Sequence, residues 1–353
     1  MTTVRTRTAG QTRRRAVRTR VVFLVMLVTL LSGSSATLMI SPGASRPVAS
    51  GYGWPVKPFN RPHPIRGHFG DPRTAFYGPP SAATLKTGNG EFQTHHGIDI
   101  SATDGTPVYP VQSGVATLRR GEEVIVPSPE GRRFEYWHLI PLAVHNGQYV
   151  TAYSTVLGYI RRGYEHVHLT EWGAAGPFNP LARGHLRPYY DRTKPQVKSV
   201  SFRDWTGSPM LPELVHGTAS LAAEAYDMPS LRVKGDWHDL PVAPALLTWK
   251  VRRLENARTV VPSTAGFDVR RQLPQQPFWT VYARGTRQNM SAFGRSRAYF
   301  QPGVYLYRLG SLSTKRLPDG AYELTVTARD TRGNAGSLTQ VFSVRNRSRW
   351  PAR

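Results

Sequence analysis

The sequence contains no cysteine. Disulfide, zinc–thiolate and iron–sulfur readings are therefore excluded, and any transition metal must be held by His, Asp or Glu. An exported protein can lack cysteine, so the absence does not fix a compartment. Acidic residues are also scarce. The 22 Asp+Glu face 46 Lys+Arg, giving a formal net charge of +24. Nucleic acid is the usual partner for such a charge. Here the basic residues are scattered, with no long basic helix, zinc finger or RNA-binding signature. No specific nucleic acid is expected. The charge suits solubility and adhesion to another polyanion: an anionic wall polymer, an acidic wall glycan or a membrane surface.

At 353 residues the chain has room for two domains of ordinary size. Residues 1–20 hold seven Arg and no acid, and Val21 to Leu31 is continuously apolar. Ser32-Gly33-Ser34-Ser35-Ala36 follows, which together describes a secretory signal cleaved after Ala36. The competing reading is a retained anchor over residues 21–40, near the minimum length for a spanning helix. In both readings the Arg-rich leader stays cytoplasmic and the rest is exported, to the extracellular space or cell envelope. The membrane is then a partner only through an uncleaved leader. Thr12-Arg13-Arg14-Arg15 is a weak match to a twin-arginine signal. A Pro-, Ser- and Ala-rich linker completes residues 1–50.

Residues 51–192 are rich in Gly, Pro and aromatics and lack a sustained helical period. Short runs at Thr106–Val111, Glu123–Val126, Phe134–Leu139, Val150–Ile160 and His166–Trp172 are broken by Asp104-Gly105, Pro127–Gly131 and Asn146-Gly147. That pattern predicts antiparallel strands with tight turns. Nine of the eleven histidines fall between His63 and His185, which places the chemistry here. Over 195–345 the texture changes to seven predicted strands: Val197–Phe202, Ala219–Tyr226, Leu246–Leu254, Trp279–Tyr282, Val304–Leu309, Tyr322–Ala328 and Leu338–Val344. These suggest an immunoglobulin- or fibronectin-like β-sandwich without an inter-sheet disulfide. The fold class expected for the whole chain is all-β after a hydrophobic leader helix, ending in a basic tail at 346–353.

Three histidine motifs carry the chemistry. In Thr94-His95-His96-Gly97-Ile98-Asp99-Ile100, strand alternation would put His95, Gly97 and Asp99 on one face and His96 on the other. An imidazole and a carboxylate with no side chain between them can converge on Zn²⁺. His166-Val167-His168 puts both imidazoles on one face of a predicted strand, Glu165–Glu171, and His138 lies in Tyr136-Trp137-His138-Leu139. A catalytic zinc site uses three protein ligands and an open position. His95, Asp99 and one histidine of the H-x-H pair make three, leaving the other and His138 beside the open position. Neighbouring imidazoles can move a proton and stabilise an oxyanion, which suits hydrolysis of a carboxamide.

His95-x-Gly97-x-Asp99, Tyr136-x-His138-Leu139 and His166-x-His168, in this order, resemble the LytM/lysostaphin zinc endopeptidases, peptidase family M23. Flanking segments agree: Ile100 to Val108, Ser113-Gly114-Val115, Asn146 to Val150, Leu157 to Ile160 and Gly67 to Arg73. The resemblance covers about Gly53 to Trp172. It implies a zinc metalloendopeptidase acting on peptides of bacterial peptidoglycan, with His95, Asp99 and His168 as metal ligands and His138 and His166 as the catalytic pair. The chain departs from the family at Leu118 to Glu123, at Arg161 to Glu165 and in the insertion 74–93, all expected to wall the substrate groove. Two other functions remain to be separated from this one: a non-catalytic envelope protein that binds wall glycopeptide or activates a hydrolase, and a secreted peptidase directed at protein. His68 is a candidate further ligand or substrate contact; His63, His145 and His185 carry no motif.

Overall fold

The computed structural model describes residues 51–74, 92–289 and 302–346. The leader with its cleavage or anchoring, most of the insertion and the basic tail lie outside the described residues. Within them the chain is antiparallel β almost throughout. Helix is confined to Phe278–Val281 and two single 3₁₀ turns, Pro212–Leu214 and Gly235–Trp237. Pro47–Arg353 forms one compact unit.

The largest sheet has seven strands. Ile65–Gly67, Ile98–Ser101, His166–Gly173, Arg133–Trp137, Glu123–Pro127 and Thr117–Arg119 lie side by side in that order, and Gly176–Phe178 adds to His166–Gly173. Alternation sorts its residues by chemistry. Ile98, Ile100, Val124, Val126, Phe134, Tyr136, Val167 and Leu169 fill a buried core. The residues between them, Asp99, Glu135, His166, His168 and Thr170, share the opposite face. Register then sets the functional positions: His168 pairs with Asp99 on one side and with Trp137 on the other, and Gly67 pairs with Asp99.

The predicted strand Phe134–Leu139 is in fact two. Arg133–Trp137 belongs to the large sheet, whereas Leu139–Leu142 pairs with Gly158–Ile160 in a three-stranded sheet. His138 joins them at φ 68°, a left-handed backbone that ends alternation. Likewise Val150–Ile160 divides into Tyr149–Val150 and Gly158–Ile160.

The C-terminal residues form two four-stranded antiparallel sheets. One runs Pro209–Met210, Gln196–Arg203, Thr218–Tyr226, Leu306–Ser313; the other runs Thr259–Asp268, Leu246–Arg253, Gly320–Arg329, Ala335–Val344. Their inner faces share a core, with the Phe202 and Phe342 rings 5.0 Å apart and Phe267 and Tyr307 4.6 Å apart. Trp249 Nε1 donates to the Leu309 carbonyl across the sheets at 2.8 Å. Two expectations are corrected. Trp279–Tyr282 is not a strand, because Tyr282 N bonds to Phe278 O and closes one helical turn. Thr259–Asp268 is a strand that the sequence hid, its alternation broken by Pro262 and Gly266.

The N-terminal and C-terminal sheets are joined by buried polar contacts. Asp71 accepts from Ala243 N at 2.6 Å, Asn179 Nδ2 donates to Val269 O at 2.8 Å, and the Tyr282 hydroxyl donates to Gly70 O. Truncating one of the facing aromatics tests the shared C-terminal core. Phe202→Ala, at a side chain 1% exposed, should cost about 3–5 kcal/mol in urea unfolding.

Candidate metal centre

Three donor atoms converge. His95 Nε2 lies 3.2 Å and His168 Nδ1 3.1 Å from Asp99 Oδ1, and the two nitrogens are 2.8 Å apart. Each ligand is oriented by a second contact. His95 Nδ1–H donates to the His68 carbonyl at 2.8 Å, which leaves the lone pair on Nε2. Thr170 Oγ1 lies 2.8 Å from His168 Nε2 and can accept its proton, freeing Nδ1. Arg73 Nη2 donates to Asp99 Oδ2 at 2.7 Å and turns Oδ1 toward the imidazoles.

The charge states suit a cation. Burial, followed by the charge of Arg73, lowers the His95 imidazole to about 4, so it is neutral at neutral pH. Burial alone would raise Asp99, but His95, His166 and Arg73 outweigh it and hold the carboxyl well below its ordinary range. The neutral His95 imidazole, His168 Nδ1 and the Asp99 carboxylate lie within hydrogen-bonding distance of one another, and their facing lone pairs repel unless a proton or a cation lies among them. Metal–ligand bonds of about 2.0–2.2 Å place tetrahedral ligands about 3.3–3.5 Å apart. The two separations from Asp99 Oδ1 lie slightly below that and the 2.8 Å between the nitrogens is shorter, so with a small outward shift of the imidazoles His95, Asp99 and His168 could hold a metal ion.

Two glycines make the convergence possible. A Cβ on Gly97 would lie 2.7 Å from His168 Nε2 and 2.4 Å from Leu169 O. One on Gly67 would lie 2.4 Å from Asp99 Oδ2 and 2.9 Å from Arg73 Nη2.

His138 and His166 stand beside these three. Their ring centroids are 4.8 Å apart, His138 is 6.5 Å from His168, and His166 Nε2 is 3.5 Å from Asp99 Oδ1. Burial, then the charge of His168, lowers His138 to about 3; burial, then Arg66, lowers His166 well below its usual value. Both are therefore neutral at neutral pH. His166 Nδ1 lies 2.6 Å from Arg66 Nη2 and 2.7 Å from Tyr164 O. All five sequence-predicted site residues thus come together.

Other positions differ from expectation. His95 and His96 precede the strand, which begins only at Ile98, so alternation does not govern them. His96 is not remote on the far face: its ring centroid lies 5.1 Å from that of His168. His68 joins through its main chain, while its side chain faces Ala243. His63, His145 and His185 contact Pro58 O, Asn146 O and Glu171. Sequence reasoning missed Arg66 and Trp237, whose ring lies 3.9 Å from the Arg66 guanidinium carbon. Neither belongs to a motif, and the pair is separated by most of the described chain. Thr170 was legible only as the next same-face residue after His168.

No protein-family model matches the sequence, and no curated protein matches it. Several solved structures resemble part of the chain. The catalytic domain of the antimicrobial peptidase lysostaphin from Staphylococcus simulans is 20% identical, with a TM-score of 0.24 over 32% of this chain and 86% of that one. A zinc containing peptidase from Vibrio cholerae is 19% identical, with a TM-score of 0.28 over 37% of this chain and 39% of that one. A chain of the SpoIIQ–SpoIIIAH pore forming complex is 19% identical, with a TM-score of 0.28 over 38% and 90%. Likenesses this partial do not assign the chain to a family, and the functional reading stands on its own geometry.

Thr170→Val keeps shape and removes the acceptor for His168 Nε2–H. Metal affinity, measured by competition with a chromogenic chelator, should fall about 10–100-fold, while the unfolding midpoint of the metal-free protein moves little.

Proposed function

We propose that this chain is an exported zinc metalloendopeptidase that hydrolyses peptide bonds in bacterial peptidoglycan. The observation that carries the reading is the meeting of His95 Nε2, Asp99 Oδ1 and His168 Nδ1 within 3.2 Å, with the neutral His138 and His166 rings alongside. A donor set of two imidazoles and one carboxylate, without thiolate, is that of a catalytic rather than a structural zinc site. The Arg-rich leader and apolar run support export. The resemblance of the ordered motifs to LytM/lysostaphin endopeptidases supports peptidoglycan as substrate, and the net charge of +24 suits anionic wall polymers.

His95, Asp99 and His168 would hold the ion. When bound, zinc supplies a Lewis acid and brings the pKa of water toward about 7. The protein residues supply the proton transfers. His138 Nδ1 is buried without a protein partner, and the ring is neutral, so it can accept a proton from an attacking water and return it to the departing amine. His166 faces Asp99 Oδ1 through Nε2, and protonated there it can donate to the oxyanion of the tetrahedral intermediate. Arg66 packs against the opposite edge of His166 and fixes the ring. The sheet face beyond the ligands continues through Trp137 and Trp172, which line the direction a peptide would take. The C-terminal sheets, bonded to the segment that carries His68 and Asp71, brace the peptidase face, and their basic exterior suits wall adhesion.

Zinc-loaded mature protein incubated with purified sacculi should release muropeptides with new amine termini, read by mass spectrometry. Intact muropeptides at full zinc occupancy would overturn the proposal. His138→Ala should lose about 10²–10⁴-fold in turnover with zinc content unchanged. That result separates an enzyme from an envelope protein that only binds or activates, because a binder would keep its cellular role. Comparing sacculi with a Gly-rich peptide separates it from a protein-directed peptidase.

A further inference from the structure

A second group of acids lies away from the histidines. Asp191 follows the N-terminal sheets, Asp227 ends the strand Thr218–Tyr226, and Asp330 follows the strand Gly320–Arg329. The three are 8%, 1% and 6% exposed, and each offers a carboxylate oxygen within 4.8 Å of the others. No Lys, Arg or His among the described residues forms an ion pair with any of them. Arg332 feels the charges of Asp330 and Asp191, but its Nε and Nη1 donate to the Tyr189 and Leu181 carbonyls.

Two of the acids have hydrogen bonds that explain their orientation. Asp191 accepts from the Tyr189 hydroxyl, Thr193 N and Thr193 Oγ1. Asp330 accepts from Arg332 N, Gly333 N, Asn334 N and Asn334 Nδ2. Asp227 does not complete its set: Oδ1 accepts from Met228 N, while Oδ2 is buried with no partner. Burial, then the negative charges of Asp191 and Asp330, raise Asp227 to about 8. A further orphan points the same way. Asp330 and Tyr189 line a small cavity together with His68, whose Nε2 is buried and unpartnered; the His68 side chain is 6% exposed. Two desolvated carboxylates, a third acid pushed toward its neutral form, an orphaned oxygen and an orphaned imidazole nitrogen are costly without a ligand among them.

We propose that Asp191, Asp227 and Asp330 bind a hard divalent cation of the calcium class, which ties the segment leaving the N-terminal sheets to both C-terminal sheets. The ligands are all carboxylate oxygen, which selects calcium, magnesium or manganese over zinc. Among these, calcium takes six to eight oxygens in flexible geometry, which suits carboxylates drawn from separate stretches, whereas magnesium demands a near-ideal octahedron. The three acids come from three stretches separated in sequence, so the ion would cross-link them. A water in the small cavity between Asp330 and His68 would answer His68 Nε2 from the Asp330 side of the site. The three acids supply none of the donors of the histidine centre, so failure of the proposal would leave the peptidase reading untouched.

Full-length protein carrying zinc should gain several degrees in melting temperature on adding millimolar CaCl₂, relative to NaCl at equal ionic strength, by stabilisation of the folded state alone. Asp227→Asn keeps the shape and removes one charge. It should abolish the calcium-dependent shift and leave zinc content and sacculus digestion as in the parent. Terbium, a luminescent stand-in for calcium, should emit on excitation of Tyr189, which donates to Asp191, and calcium should quench that emission by competition. This measurement on the unmutated chain decides the matter if Asp227→Asn does not fold. No calcium-dependent shift and no terbium emission would overturn the proposal, as would a shift that persists in Asp227→Asn. A variant more stable than the parent at every calcium concentration, with no calcium response in either, would identify a proton-sharing acid cluster instead.

Discussion

The Asp99 carboxylate is the constraint on which the rest of the site depends. It is buried, and a buried charge survives only when both oxygens are answered. Arg73 answers Oδ2 and the imidazoles converge on Oδ1. To admit them, the neighbouring backbone gives up side chains: Gly67 on the paired strand where Arg73 enters, and Gly97 where His168 lies. Desolvation therefore acts in both directions at once. It makes Asp99 dependent on its partners, and it keeps His95, His138 and His166 neutral and able to offer lone pairs.

The pair His138 and His166 shows how a sheet presents groups that simple alternation would not bring together. His166 and His168 share a face because they sit two apart on one strand. His138 reaches the same side only because the chain turns through a left-handed residue between two sheets, at φ 68°. Glu165, immediately before His166, is also left-handed at φ 51°. Both are non-glycine residues in a disfavoured region, and such strain persists where surrounding contacts over-determine it. At His138 the flanking bonds from Leu139 N to Glu122 O and from Arg161 N to His138 O do so.

What was legible in the sequence was local. The H-x-H pair and the turn-broken strands follow from periods of two and from turn residues, and His95-x-Gly97-x-Asp99 was legible as a motif although His95 precedes the strand. The alternation of Gly320–Arg329 is complete enough to read directly. What was hidden depended on long-range contact. His96 was placed on the far face of a strand that in fact starts two residues after it, at Ile98. His138 was read as mid-strand because φ is invisible in sequence. Trp279–Tyr282 was read as a strand and proved part of a helical turn, while the strand Thr259–Asp268 went unread, since short apolar runs are ambiguous and a proline in a strand masks it. Arg66 and Trp237, and the acids Asp191, Asp227 and Asp330, carry no motif; only the tertiary fold brings them together.

One route by which the C-terminal sheets bear on the metal centre runs through Asp71. Its main-chain carbonyl accepts from His95 N at 2.8 Å, its Oδ2 accepts from His68 N at 3.0 Å, and its Oδ1 accepts from Ala243 N at 2.6 Å. The segment that holds one ligand is therefore braced by a backbone amide contributed from beyond residue 240. Burial raises the Asp71 carboxyl to about 7, and Arg73 and the Ala243 amide work against that rise. Losing the Ala243 contact would favour the neutral acid, weaken its hold on His68 and loosen the carbonyl that orients His95. The C-terminal half is thus part of how His95 is aimed, and a role as a detachable spacer alone does not account for a contact so close to a ligand.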